Sequence, residues 1–204
     1  MNVRRKTYFL TQFSIMLAIE AVFCFTPLGS LPALGPIVMT MAHIPVIFTA
    51  ILLGTGAGTL MGAFAGLFSF IVWTFMPPNP MIAFAFTPVF PPGNAFSLLI
   101  TFVPRILVGT VSGLIYHRCK KIGKNKEWLW AGIAAVLGTA MNTAGVLGGI
   151  ALFFGDAYAG ALGAVLSFII RYTVLTSGVP EAVLAALAAV LICMPIKRAL
   201  VQRK

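Results

Sequence analysis

Twelve of the 14 Lys and Arg residues fall in three short clusters, and the sequence between the clusters is apolar and nearly uncharged. The clusters occupy residues 4–6, 118–126 and 197–204. Because loops rich in Lys and Arg stay on the cytoplasmic side during insertion, this pattern predicts a membrane protein with all three clusters on the inner face. An even number of membrane-spanning helices must then separate each cluster from the next.

The composition limits the alternatives to a membrane protein. With 60% hydrophobic and 9% charged residues, there is no room for a soluble domain beside the membrane part. The net charge of +10 therefore indicates contact with anionic lipid head groups, and we predict no nucleic-acid partner. A length of 204 residues fits one multi-pass membrane domain, residues 1–204, in the cell membrane.

The apolar stretches predict an all-α integral membrane fold of six transmembrane helices with both termini in the cytoplasm. A bilayer core about 30 Å thick needs roughly 20 apolar residues per helix, and Pro and Gly mark the breaks. The predicted spans are residues 7–26, 37–53, 55–75, 95–116, 128–154 and 179–194, with a cytoplasmic basic loop at 117–127. A seventh span would put the last basic cluster on the wrong side, so segment 155–178 is predicted to be an external loop with a short helix.

Segment 76–94 contains six prolines. This density excludes a regular helix, and lipid cannot satisfy a loose backbone, so we predict an external loop or a lid over a cavity. Trp73 just before it is typical of an interfacial anchor, with a place in a ligand-covering lid as the alternative.

Small residues recur at helical spacing in two of the predicted spans. Gly54, Gly58, Gly62 and Gly66 repeat every fourth position, which favours close packing of two helices inside the bundle, with contact to another protein as the alternative. Ser14 and Ala18 form a similar pair on the first span, with Ala21 beside it.

A few polar residues lie deep in the predicted spans. Arg105 is about ten residues into the fourth span, roughly 15 Å from its outer end, where a charge must be paired or face a wet cavity. It pairs with Glu20 or Glu181, or holds the carboxylate or phosphate of an anionic solute, and the two roles are compatible. Asn142 bridges helices or offers a donor and an acceptor to a ligand. His43 is interpreted as a hydrogen-bonded structural residue.

The sequence has no pattern typical of an enzyme, a metal site or an ATP-binding loop, and neither histidine has a partner at a telling spacing. We therefore predict a protein without catalytic activity, cofactor or metal. It is either a subunit of a larger transporter or a self-contained small channel or secondary transporter. The absence of a convincing internal repeat favours the subunit.

Several segments together resemble the S components of energy-coupling factor (ECF) transporters. They are Met41-Ala-His-Ile-Pro-Val-Ile, Ile51-Leu-Leu-Gly with the glycines that follow, Leu67-Phe-Ser-Phe, Phe86-Thr-Pro and Phe102-Val-Pro-Arg-Ile-Leu-Val-Gly. The resemblance implies a six-helix subunit that binds a vitamin with high affinity from outside. It also implies a transmembrane coupling subunit and two cytoplasmic ATPase subunits as partners.

The resemblance also implies where this chain binds its solute and its partner. The family pocket opens outward beneath three loops, which brings Asn79, Thr87, Arg105, Asn142, Arg171 and Glu181 near it. The family contacts its coupling subunit through an Ala-x-x-x-Ala patch on the first helix, for which Ser14 and Ala18 are the nearest match here, with Ala21 beside them. A solitary buried arginine suits a carboxylate-bearing vitamin such as pantothenate, while riboflavin, a cobalamin or another vitamin stays open.

Overall fold

The computed structural model describes residues 3–26, 30–31, 39–122 and 126–202. Within these ranges the chain forms five separate α-helices, a sixth composite helix and two short strands. The five helices are α1 (Val3–Phe25), α2 (His43–Leu53), α3 (Thr55–Phe75), α4 (Ala95–Ile122) and α5 (Glu127–Leu162). The composite helix, α6, joins the α-helical stretches Leu166–Thr173, Val179–Ala188 and Met194–Gln202 through π-helical turns at Val174–Gly178 and Ala189–Cys193.

The predicted all-α integral membrane fold is confirmed. Five of the helices are long and apolar enough to cross a membrane, and α2 is the shorter sixth. The strands β1 (Ser30–Leu31) and β2 (Met39–Thr40) pair antiparallel between α1 and α2. The chain thus folds as a helical bundle with a small hairpin before its shortest helix.

The last two helices are longer than predicted, and the prediction of a loop with a short helix at 155–178 is wrong. Helix α5 continues past a kink at Phe154 to Leu162, and α6 begins at Leu166. Between them Gly163 adopts a left-handed conformation with φ 62°, which ends a helix without steric penalty. Arg171 lies within the first α-helical stretch of α6, with its side chain on the helix surface.

The second helix is shorter than the predicted span 37–53. It begins at His43, after the strand at Met39–Thr40, and has 11 residues. At 1.5 Å per residue it is about 16 Å long, roughly half of a bilayer core. Its first turn accommodates Pro45, because amides there need no partner within the helix.

The fourth helix is longer than its predicted span 95–116. It ends at Ile122, so the predicted basic loop 117–127 begins as helix, and residues 123–125 of that loop lie outside the described residues.

Glycines bring α3 and α4 into backbone contact. A Cβ atom at Gly62 would overlap the backbone carbonyl of Arg105, and one at Gly109 would overlap the backbone of Gly58. At Gly66 it would lie 2.8 Å from Phe102 Cδ1. The predicted packing inside the bundle is therefore confirmed for three of the four repeated glycines. The fourth, Gly54, instead forms the turn between α2 and α3 with φ 110°.

The proline-rich segment 76–94 is packed at its centre, and Pro78, Ile82 and Phe86 line cavities, which agrees with the predicted alternative of a cap over a cavity. Residues 80–85 form a 3-10 helix, and every residue from Ile82 to Thr87 is buried. Hydroxyl groups of α4 hold this segment in place. Ser97 Oγ donates to the Phe84 carbonyl at 2.7 Å, and Thr101 Oγ1 donates to the Phe86 carbonyl at 2.6 Å. The segment is a packed wall of the bundle.

Buried side chains form two apolar clusters. One joins α1 to α6 and is rich in aliphatic and small residues, among them Val46, Met61, Val108, Ala135 and Ala185. The other contains the proline-rich segment and most of the buried aromatics, among them Trp73, Phe84, Phe86, Phe154 and Tyr158. Residues from both clusters line the cavities described next, so these cavities lie where the clusters meet.

Candidate functional site

Two adjoining cavities, with about 60 and 70 Å³ of free space, share four lining residues: Thr40, Trp73, Arg105 and Asn142. The first cavity extends towards α1, α2 and α3 and is also lined by Cys24, His43 and Ser69. The second extends towards α5 and α6 and is also lined by Tyr158, Ser177 and Glu181. We treat the two as one site with Arg105 at its centre.

The position of the guanidinium group follows from the proline before it. Pro104 lies inside α4 and has no backbone N–H, so the carbonyl of Ile100 loses its usual helical partner. Arg105 Nη1 donates to this carbonyl at 2.8 Å, and Nη2 reaches Ser69 Oγ at 3.4 Å. The side chain is therefore held by neutral groups of its own helix and of α3.

An aromatic pair forms the wall beside the arginine. Arg105 Cζ lies 5.7 Å from the centre of the Phe86 ring, within the range of a cation–π interaction. Trp73 stacks on the same ring with a centroid distance of 4.3 Å. The packed proline-rich segment thus contributes directly to the site through Phe86.

Neither Glu20 nor Glu181 forms an ion pair with Arg105, so that predicted pairing is wrong. Glu20 is fully buried; its Oε1 accepts from Cys24 Sγ at 3.4 Å, and its Oε2 has no partner among the described residues. Glu181 Oε1 accepts the Thr40 amide at 2.6 Å. Both carboxyl groups are close enough to interact with Arg105 electrostatically. Three of the five guanidinium N–H groups make no hydrogen bond within the described chain.

Asn142 lies on α5 and faces the site, which agrees with the prediction that its amide is available to a ligand. Its side chain is 8% exposed, lines both cavities and makes no hydrogen bond with a described residue. An amide in this state has a donor and an acceptor available for a ligand. The structure therefore brings together three of the six predicted site residues: Arg105, Asn142 and Glu181.

The other three predicted site residues lie outside the cavity lining. Asn79 Oδ1 accepts the Met81 amide at 3.1 Å and caps the 3-10 helix. Thr87 is buried, and its hydroxyl is hydrogen-bonded to that of Thr74 at 2.9 Å. Arg171 is exposed on α6. The sequence argument placed them by proximity to loops, whereas these segments are packed or helical.

Several lining residues were missed from the sequence. Trp73 was not among the predicted site residues, but it is only 7% exposed and lines both cavities, which agrees with the alternative of a ligand-covering position and not with an interfacial anchor. The signal for it was present, because Gly62, Gly66, Ser69 and Trp73 follow the spacing of one helix face. Thr40 had no comparable signal, since its place depends on the β2 strand.

The family model for the substrate-specific component of ECF transporters matches residues 8–196. The chain belongs to this family. A curated relative of this S component is the pantothenic acid transporter PanT of Lactococcus lactis subsp. cremoris (strain MG1363), 37% identical over 155 residues, which are 74% of each chain. The resemblance drawn from the sequence segments is thereby confirmed.

A solved structure shows the same fold. The 2.1 Å crystal structure of the S component for biotin from an ECF-type ABC transporter matches with a TM-score of 0.67. The match covers 97% of this chain and 95% of that chain at 16% identity. The S component described here is accordingly a multi-pass protein of the cell membrane.

The first helix of this S component presents small residues on its outer surface. Ser14 and Ala18 are exposed and line a shallow groove with Thr7, Leu10, Thr11 and Ile15. Ala21 is half-buried and lies outside the groove. A flat strip of this kind lets another helix approach closely.

Proposed function

We propose that this S component binds pantothenate for an ATP-driven uptake transporter. The observation that carries the proposal is the guanidinium group of Arg105, which lies between the helices without an ion pair among the described residues and with N–H donors to spare. Pantothenate has one carboxylate, and a planar guanidinium matches a carboxylate with two parallel hydrogen bonds. The identity with a protein named as a pantothenic acid transporter supports the same solute.

The charges around the arginine favour a solute with a single negative charge. Arg105 is the only Lys or Arg among the described residues that line the two cavities, so a second anionic group would have no cation to pair with. Riboflavin has no carboxylate and would leave the buried cation without a partner. The two cavities are also lined by polar side chains, among them Ser69, Asn142 and Ser177, which can donate to and accept from the remaining polar groups of pantothenate, an amide and two hydroxyls.

Uptake would require partner subunits, since the sequence contains no ATP-binding loop. We propose a transmembrane coupling subunit and two cytoplasmic ATPases, with the exposed strip at Ser14 and Ala18 as the contact to the coupling subunit. Both termini and the basic residues around 117–127 would face the cytoplasm. The chain alone in proteoliposomes should bind pantothenate without accumulating it. Uptake without partners would instead support a self-contained channel or secondary transporter.

Binding to the purified chain tests the solute and the role of Arg105 together. Affinities are measured by calorimetry for pantothenate and for pantothenol, in which a neutral hydroxymethyl group replaces the carboxylate. Loss of two charge-assisted hydrogen bonds is worth about 3 kcal/mol, or roughly 150-fold in Kd. Arg105→Gln should therefore bind pantothenate roughly 100-fold more weakly and bind both compounds about equally.

Arg171→Gln is the matched control, because Arg171 is exposed and outside the cavity lining. It should keep both the affinity and the preference of the wild type. The proposal fails if the wild type prefers another vitamin, or if Arg105→Gln retains the preference for pantothenate over pantothenol.

A further inference from the structure

His43 is a buried polar residue whose hydrogen-bonding groups are unused. Its side chain is 5% exposed and lines the first cavity together with Arg105 and Asn142. Neither Nδ1 nor Nε2 has a hydrogen-bond partner among the described residues. The backbone of Thr40 lies close to the ring, but the geometry there is not that of a hydrogen bond. Buried imidazole nitrogens normally have partners, so a ring that finds none among the described residues and lines a cavity points to a partner in that cavity.

The surroundings of His43 favour the neutral ring. The imidazole interacts electrostatically with Arg105, next to which a second positive charge would be unfavourable. It also stands at the first residue of α2, and the N-terminus of a helix disfavours a cation. A neutral imidazole offers one donor and one acceptor. A hydroxyl group is the complementary partner, because it can both accept and donate.

We infer that His43 binds a hydroxyl group of the same solute whose carboxylate is held by Arg105. This inference rests on the proposed function and adds a second determinant of specificity to it. Arg105 selects the anion, and His43 selects a solute that also has a neutral hydroxyl elsewhere. Pantothenate meets both conditions, since its carboxylate and its two hydroxyls lie at opposite ends of the molecule with an amide between them.

Matched analogues separate a contact with the ligand from a structural role. The probes are pantothenate, two deoxy analogues that each lack one hydroxyl, and pantothenol. The variants are His43→Phe, which removes both polar atoms, and His43→Gln, which keeps a donor and an acceptor. A hydrogen bond to a neutral group predicts that the wild type binds one deoxy analogue roughly tenfold more weakly than pantothenate.

His43→Phe should bind pantothenate about tenfold more weakly, yet bind that deoxy analogue as the wild type does. Its preference for pantothenate over pantothenol should be unchanged, because that preference depends on Arg105. His43→Gln should recover part of the lost affinity. These three results together would support direct recognition of the hydroxyl.

Other results overturn the inference. They are an equal loss of affinity for pantothenate and both deoxy analogues in His43→Phe, or a preference of that variant for pantothenate over the deoxy analogues that is as large as in the wild type. If neither variant folds, the inference is still overturned when the wild type binds both deoxy analogues as tightly as it binds pantothenate. If the wild type binds another vitamin instead, the proposed solute is wrong, and undiminished affinity of His43→Phe for that vitamin also overturns the inference. If no vitamin binds, both proposals fail.

Discussion

Replacing Gly62 by Ala is predicted to disturb the binding site, although Gly62 does not itself line either cavity. The Cβ atom of alanine would overlap the carbonyl oxygen of Arg105 and lie 2.8 Å from its carbonyl carbon and 2.9 Å from Ile106 Cα. These are backbone atoms, so no side-chain rotation can make room. Helices α3 and α4 must separate at the position that holds the guanidinium group.

The size of the effect follows from these distances. An ordinary contact begins at 3.4 Å, so the Cβ atom is about 0.6 Å too close to the Arg105 carbonyl carbon. Overpacking of this kind destabilises a fold by about 1–3 kcal/mol, or roughly 2–4 °C in Tm for each kcal/mol. A binding group must be held within about 0.5 Å, so the affinity for pantothenate should fall roughly tenfold as well.

The assay compares three alanine variants of α3 by thermal shift and by calorimetry with pantothenate. Gly56→Ala is the control, because nothing lies within 4 Å of the added atom. It should keep the wild-type affinity and Tm. Gly66→Ala should fall between the two, because its nearest contact is the Phe102 side chain, which can move. Wild-type affinity and Tm in Gly62→Ala, or equal losses in Gly56→Ala, would refute the reasoning.

Two further predictions concern parts of the molecule remote from the cavities. Tyr116 donates to Glu127 Oε2 at 3.1 Å, and Lys197 Nζ lies 3.2 Å from the same oxygen, which ties α4, α5 and α6 together. Tyr116→Phe should lower Tm by a few degrees, for a loss of about 1 kcal/mol, and leave the pantothenate affinity unchanged; a changed affinity would contradict this. Ala18→Leu should abolish uptake by the assembled transporter but leave pantothenate binding intact. Ala140→Leu, at another exposed alanine, should leave both uptake and binding intact. Uptake by Ala18→Leu would exclude the strip at Ser14 and Ala18 as the coupling surface.

The sequence predicted the number of helices and the position of Arg105 beside a cavity because both depend on strong, local energetic terms. A charge deep in an apolar helix has few tolerable environments, and a wet cavity is one of them. The glycine repeat was equally informative, since close helix packing needs residues without a side chain. These inferences hold for Arg105 and Gly62 without any knowledge of how the helices are arranged.

The parts that were missed depend on contacts between distant segments. Proline density correctly excluded an α-helix near Pro80, but it could not show that hydroxyls of Ser97 and Thr101 would hold a 3-10 helix in the interior. In the same way, hydropathy treats Arg171 as an interruption, whereas α6 continues through this residue with the side chain on the helix surface. Exposure is a property of the packed bundle, so a single sequence does not fix it.

The pair Pro104–Arg105 links the backbone of α4 to the chemistry of the site, and Pro104→Ala tests that link. Alanine would restore the amide that normally bonds to the Ile100 carbonyl, so Arg105 Nη1 would compete for an acceptor that it now holds alone. Removing a proline from a helix interior is favourable by up to about 3 kcal/mol, offset in part by lost packing against Gly145. We therefore expect an equal or higher Tm together with a several-fold weaker affinity for pantothenate, as measured by thermal shift and calorimetry. Pro195→Ala, at an exposed proline of α6, should leave the affinity unchanged. An unaltered affinity in Pro104→Ala would mean that the freed carbonyl does not position the arginine.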